Sequence, residues 1–360
     1  MQTRLTWHLR RLLVALFAAM APVIAHGQDF AFNHLNVDGG LSAGKVNALV
    51  QDTRGFIWIG TVDGLNRFDG YDVTEFRHVE GDSTSLSDNV VLFLHEDTNG
   101  FIWVGTSDGG LNRFDPVTET FYRYAHDPED PDSLPSNEVL AIAEDNNGNI
   151  WIGTGDGLGR YDPERDGFVN YRHDTNNAGS LSHDVAQALY VDRAGVLWVG
   201  TMDGLNRYDA NSDSFSTFRS AENPIVNGVS VIEGREQGGF WIGTFGAGLQ
   251  IFDRTTTAFT PAPLEGAFGS TIIVSLFEDS EGALWVGTGG DGLHRRDPMG
   301  DQSAYRFDPA SSNSLNDNFV RFVIRDRQGI VWAATYNGLD WFDPARSTFV
   351  TYQHTPTQPT

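Results

Sequence analysis

Hydrophobic and polar positions along this chain repeat as a block. Read from residue 85, polar Ser85-Leu86-Ser87-Asp88-Asn89 precedes Val90 to Glu96, a β-branched and bulky run long enough for one strand. Asp97-Thr98-Asn99-Gly100 follows as a turn whose glycine takes positive φ cheaply. Phe101 to Thr106 predicts a buried second strand, Ser107 to Gly110 a second turn, and Leu111 to Phe114 a third strand closed by Asp115-Pro116. Phe121 to Tyr124 alternates in character, as an outer, half-exposed fourth strand should. Four strands joined by tight turns make an antiparallel meander. One such unit cannot bury both of its faces alone, so copies must stack.

The block occurs seven times. Trp58, Trp103, Trp151, Trp198, Trp241, Trp285 and Trp332 mark its second strand, spaced 45, 48, 47, 43, 44 and 47 residues apart. Five of them stand in Trp-(Ile/Val)-Gly-Thr followed shortly by Asp-Gly-Leu or Gly-Gly-Leu. A period of about 46 residues lies between the WD and kelch periods and predicts an all-β fold, a seven-bladed β-propeller of four-stranded antiparallel blades. The blades are placed at about 45–80, 89–125, 137–173, 184–219, 227–260, 271–307 and 318–353, within a propeller spanning 28–353. Glycine two residues after the tryptophan lets neighbouring backbone approach; the seventh copy has Ala334 there and Trp341 in its third strand, marking it as a modified closing or contact blade. Residues 30–35 and residues 347–353 compete for the outer edge of that blade. If 30–35 takes it, the ring closes by pairing its two ends and removes an exposed edge.

The aspartate that opens the first turn, at Asp52, Asp97, Asp145, Asp192, Asp279 and Asp326, can cap its own turn by accepting from backbone N–H groups two residues on; the fifth copy has Arg235 instead. This periodic aspartate accounts for much of a net charge of −24, which disfavours nucleic acid and anionic lipid as partners. Arg4, Arg10 and Arg11 precede an apolar run from Leu12 to Ile24, then Ala25-His26-Gly27: residues 1–27 read as a secretory signal peptide. The expected location is the periplasm or the extracellular face of the inner membrane. The chain has no cysteine, so packing alone must hold the fold. The polar tail 354–360 reads as an interrupted link to a second propeller.

The string Ser-Leu, then Asn, then Glu-Asp-x-x-Gly-x-x-Trp-x-Gly-Thr, then Gly-Leu-x-Arg-(Phe/Tyr)-Asp-Pro resembles the two-component regulator propeller repeat, over nearly all of the chain after the leader. The resemblance implies an extracytoplasmic sensor region feeding a histidine kinase or diguanylate cyclase. Typical members resemble two such rings followed by a β-sandwich; seven repeats resemble the first ring of such a sensor, or a stand-alone propeller. No kinase or cyclase activity carries over, because no residue here could host it.

In a propeller the loop before strand one and the turn between strands two and three open on one face. The first presents Gly44, Asn89, Asn137, Asp184, Asn227, Thr271 and Asn318; the second Val62, Ser107, Gly155, Met202, Phe245, Gly289 and Tyr336. The amide set Asn89, Asn137, Asn227 and Asn318, with Asp184, suits sugar hydroxyls or peptide groups, or caps its own loops. Phe245 and Tyr336 can stack on a ligand. One position of the first strand varies strongly: Asn47, Leu92, Leu140, Gln187, Ser230, Val274 and Arg321. Arg321, a charge in an apolar strand, needs a partner, either a ligand carboxylate or a nearby aspartate.

No zinc spacing joins the histidines, the turn Asp145 to Asn149 lacks the ligands of a calcium hand, and the glycines at 153–157 enter a strand rather than a helix, so no metal and no cofactor is expected. The expected function is a non-catalytic, ligand-sensing propeller of a two-component or diguanylate cyclase system, binding a small saccharide, peptide or metabolite. The alternative is a protein-interaction scaffold, including a homodimer; a propeller lyase or lactonase ranks below both.

Overall fold

In the computed structural model, which describes residues 31–262 and 270–344, seven four-stranded antiparallel sheets form a closed ring. The expected signal peptide at 1–27, residues 347–353, expected as a rival edge strand, and residues 354–360 lie outside the described residues. Blade one shows the plan: β2 (Val46–Gln51), β3 (Ile57–Thr61), β4 (Gly64–Phe68) and β5 (Val73–Phe76), ordered from the axis outward. In blade two the strands are Val91–Glu96, Ile102–Thr106, Leu111–Asp115 and Thr120–Tyr124, within a residue of the expected spans. The only helical turns among the described residues are short 3-10 segments at Val37–Gly39 and Pro224–Asn227.

Burial follows strand position. Every second strand is buried throughout, whereas the fourth strand of blade one is half-exposed to exposed. The apolar clusters do not sit inside blades; each spans a boundary. Trp58 and Leu65 of blade one pack with Val91, Ile102 and Phe114 of blade two, and the pattern runs around to Trp332 and Leu339 of blade seven against Val46 and Ile59 of blade one. Gly105 shows why the position after Trp-Val is glycine: a Cβ there would lie 2.5 Å from Val139 of the next blade.

The turn aspartate does more than cap. Asp97 accepts from Asn99 N and Phe101 N with one oxygen (2.9 Å each) and from the Trp103 indole Nε1–H with the other (2.8 Å). The same pairing joins Asp52 to Trp58, Asp145 to Trp151, Asp192 to Trp198, Asp279 to Trp285 and Asp326 to Trp332. A buried indole N–H needs an acceptor, and the six-residue spacing supplies one locally. Blade five lacks that aspartate. There Trp241 Nε1 donates 2.6 Å to Glu278 of blade six, while Arg235 stacks over the Trp241 ring with its guanidinium 4.6 Å from the centroid. Glu278 also accepts from Glu236 N at 2.7 Å. Glu278→Ala strands both donors and is expected to cost about 2–3 kcal/mol in a urea titration. Glu96→Ala, which loses only the exposed bonds from Thr53, is expected to cost about 1 kcal/mol or less. Equal losses would contradict the rescue.

The N-terminal segment occupies the outer edge of blade seven. β1 (Asn33–Leu35) pairs antiparallel with Gly338–Phe342, Asn33 opposite Trp341 and Leu35 opposite Leu339, and so becomes the fourth strand of blade seven. Phe32 fills the boundary with blade six, edge-on to Phe342 and Tyr305. His34 Nδ1 lies 2.7 Å from the buried Asp340 carboxylate, and its Nε2 lies 3.0 Å from the Ser312 carbonyl.

Candidate functional site

Each first strand carries a register shift at the same place: between Val46 and Ala48, Val91 and Phe93, and so on to Val320 and Phe322. The residue skipped by the ladder is in every blade the strongly variable position of the sequence. A bulge leaves its extra residue unpaired and re-aims its side chain. All seven of these residues line one central cavity of about 230 Å³, together with Phe245 from the mouth and with Tyr190 and Glu233 deeper along the axis. The ring therefore keeps its packing residues fixed and turns its variable residues inward.

The lining is mostly apolar, from Leu92, Leu140, Val274 and Phe322. Two of its polar groups are already used: Asn47 Nδ2 donates to the Val91 carbonyl (2.8 Å) and Ser230 Oγ to the Ile273 carbonyl (2.5 Å). Gln187 and Arg321 make no hydrogen bond or ion pair among the described residues. No aspartate reaches Arg321; burial holds its guanidinium below the ordinary range, opposed by nearby Tyr336. Burial, reinforced by the charge of Glu278, pushes the Glu233 carboxyl up to about 8 although the Glu278 N–H favours its anion, so it is largely protonated at neutral pH.

The loop residues of the sequence reading are placed differently. Asn89, Asn137, Asp184, Asn227 and Asn318 each accept, at 2.7–2.8 Å, from the backbone N–H of His78, His126, His173, Ser220 and Phe307. Their main-chain carbonyls are used as well: those of Asn89, Asn137, Asp184 and Asn318 accept from Gly64, Gly110, Gly157 and Gly292 of the preceding blade. These five side chains hold the loops that frame the mouth. Phe245 lines the cavity, 36% exposed. Tyr336 stands at the rim, stacked on Phe319 (4.0 Å, 9°), with Lys45 Nζ 4.0 Å above its ring.

Sequence reasoning passed over Lys45, the chain's single lysine, and Glu233, the one carboxylate at a first-strand position elsewhere held by Val50, His95, Ala143, Tyr190, Phe277 and Ile324. Both were findable as exceptions to the repeat. The histidines also gain a reason: His78, His126 and His173 bond through Nδ1 to the carbonyls of Leu86, Leu134 and Leu181, bracing the same loops. A second, polar cavity of about 350 Å³ opens beside the first-turn end of blades four to six, lined by Arg235, Arg254, Glu278 and Asp192 among others; it shares Tyr190 and Glu233 with the channel. No helix among the described residues is long and apolar enough to cross a membrane.

Comparison with known proteins fits this plan. The two component regulator propeller model matches residues 40–63, 85–108, 133–156, 180–203, 267–290 and 314–337, leaving out blade five, the one with Arg235. The extracellular domain of a hybrid two component system from B. thetaiotaomicron superposes on 87% of the chain at 26% identity and TM-score 0.76, with 42% of its own length covered. A segment of 75 residues, 21% of this chain, is 40% identical to Histidine kinase P4 of Formosa agariphila and spans 6% of that protein. Virginiamycin B lyase from Staphylococcus aureus shares the fold alone: 15% identity, TM-score 0.66, covering 87% of this chain and 98% of the lyase. The chain thus spans well under half of the signalling proteins it resembles.

Proposed function

From a chain built of two-component regulator propeller repeats, we propose an extracytoplasmic sensor domain that binds a small ligand in its central channel and performs no chemistry itself. One observation carries the reading: the bulge in every blade delivers the variable residue of the repeat into a shared cavity, while the residues common to the repeats pack the blades. The ligand enters past Phe245 and the Tyr336–Phe319 pair. The output is a histidine kinase or diguanylate cyclase module, carried on a longer chain or on a partner; likeness to the extracellular domain of a hybrid two component system supports this. Export by the leader at 1–27 accords with that location.

The test is a thermal-shift screen of saccharides, peptides and metabolites on the purified protein. A ligand present at about 100 times its Kd is expected to add about 2.7 kcal/mol of stability and raise Tm by several degrees. Phe245→Ala with Tyr336→Ala is expected to remove that shift without altering the ligand-free midpoint by more than about a degree. Hits that survive the double substitution would show binding away from the channel and refute the reading.

A further inference from the structure

Acids outnumber bases two to one in this chain, 48 against 24, and most arginines whose contacts are described are tied down. Arg77 holds Asp63 and Glu75, Arg254 holds Asp192, and Arg325, four residues from Arg321, holds Asp279 and Glu281. Among the basic side chains of the channel and its mouth, Arg321 in the lining and Lys45 at the rim depart from this. Neither side chain has a hydrogen bond or acidic partner among the described residues, and Tyr336 lies under Lys45 Nζ and near enough to Arg321 to act on it electrostatically. A half-buried guanidinium without a counter-ion is costly to keep in an apolar setting.

We propose that the channel takes a small monocarboxylate with an apolar body, its carboxylate seated on Arg321 and its approach steered by Lys45. This rests on the sensing reading above and names the class of ligand. The guanidinium offers paired N–H donors that match the two carboxylate oxygens. Leu92, Leu140, Val274, Phe322 and Phe245 offer an apolar wall for the rest of the molecule. Gln187, from blade four across the ring from blade seven, has its amide free for one further hydrogen bond. The one carboxyl in the lining, Glu233, stays largely protonated at neutral pH and so does not repel the anion. A second charge on the ligand would have no cation to meet inside the channel, which disfavours dianions. An uncharged sugar would leave Arg321 unneutralised.

The experiment is calorimetric titration of the full chain at neutral pH with phenylacetate, isovalerate and hippurate, with phenylacetamide and glucuronate as the uncharged and the polar arms. At least one apolar carboxylate is expected to bind one per chain, with phenylacetamide about tenfold or more weaker than phenylacetate. Arg321→Gln is expected to weaken the carboxylate by about tenfold or more while its ligand-free melting midpoint stays level or rises; Arg321→Lys should restore part of the affinity. Lys45→Gln should slow association and flatten its salt dependence. Carboxylate binding that Arg321→Gln leaves intact, no binding of any of the three acids at millimolar concentration, or glucuronate binding more tightly than all three would overturn the proposal. A neutral saccharide bound equally by parent and Arg321→Gln would also overturn it, yet leave the sensing reading standing. Loss of every ligand response across the wider screen would take down both.

Discussion

Trp151→Ala is expected to lower the stability of the whole ring by about 3–5 kcal/mol, read as a fall in the urea midpoint with an unchanged m value. The side chain is fully buried and lies in the cluster of the next blade, against Leu181, Ala186, Leu197 and Phe215, with the Tyr208 ring 4.8 Å away. A tryptophan buries about 150–250 Å², worth on the order of 4–6 kcal/mol as an upper bound. Alanine leaves most of that volume empty, because strands on both sides are held by their ladders and cannot collapse into it. It also removes the 3.0 Å indole bond to one oxygen of Asp145, which keeps the 2.8 Å bond from Asn149 Nδ2. Trp151→Phe keeps much of the volume and should lose roughly half as much. A loss below about 1 kcal/mol for the alanine variant would mean that the blade boundary is not where stability resides.

The second large effect concerns closure. Removing residues up to Leu35 takes away Phe32 and Leu35, both buried, and leaves Asp340 buried without His34. The expected loss is at least about 4 kcal/mol, from two apolar side chains and a buried carboxylate left with only the Asn316 N–H. An unchanged midpoint would show that another segment of the chain can complete blade seven. The intact protein should also carry a pH signature. The bond to Asp340 raises the His34 pKa in the folded state despite burial, so the folded form holds the proton more tightly than the unfolded chain does. That contribution is fully present below the ordinary imidazole value of about 6.5 and is lost as pH rises through the raised value. Burial lifts Asp340 too, but bonds from His34 and from Asn316 N keep the anion in reach. Glu233, pushed up to about 8, adds a loss of the same sign as pH rises, and the buried His95 and His294, both lowered, oppose it, so the His34 part is read as the difference between the parent and His34→Gln. The stability that the parent holds over His34→Gln should shrink as pH rises from 6 to 8; a difference that stays constant or grows over that range would refute the assignment.

Much of this was legible because a repeat is its own control. Seven tryptophans in phase gave blade number, strand order and the buried second strand, and the Gly-after-Trp position gave the tight inter-blade approach. The tryptophan–aspartate bond was also within reach, as a constant six-residue spacing, but a cap two residues on already explained the aspartate. The variable first-strand position was found by comparing copies, yet its inward aim depends on a bulge, and bulges leave no residue signature when seven different side chains occupy them. The asparagines looked like ligand groups because loop capping and ligand binding use the same amide chemistry. Only coordinates separate the two, by showing the amide oxygen 2.7–2.8 Å from a backbone N–H. The closing strand could not be chosen from composition, since both contenders share its alternation.

The seam in blade seven has a mechanical meaning. Asn33 sits opposite Trp341 and Leu35 opposite Leu339, so the chain enters β1 and leaves the Gly338–Phe342 strand at the same corner. Tension applied between upstream and downstream attachments would not drag the two strands lengthwise past each other. It would peel them apart one rung at a time from that corner, like a zip, and the ring would come open at the place where a tether pulls.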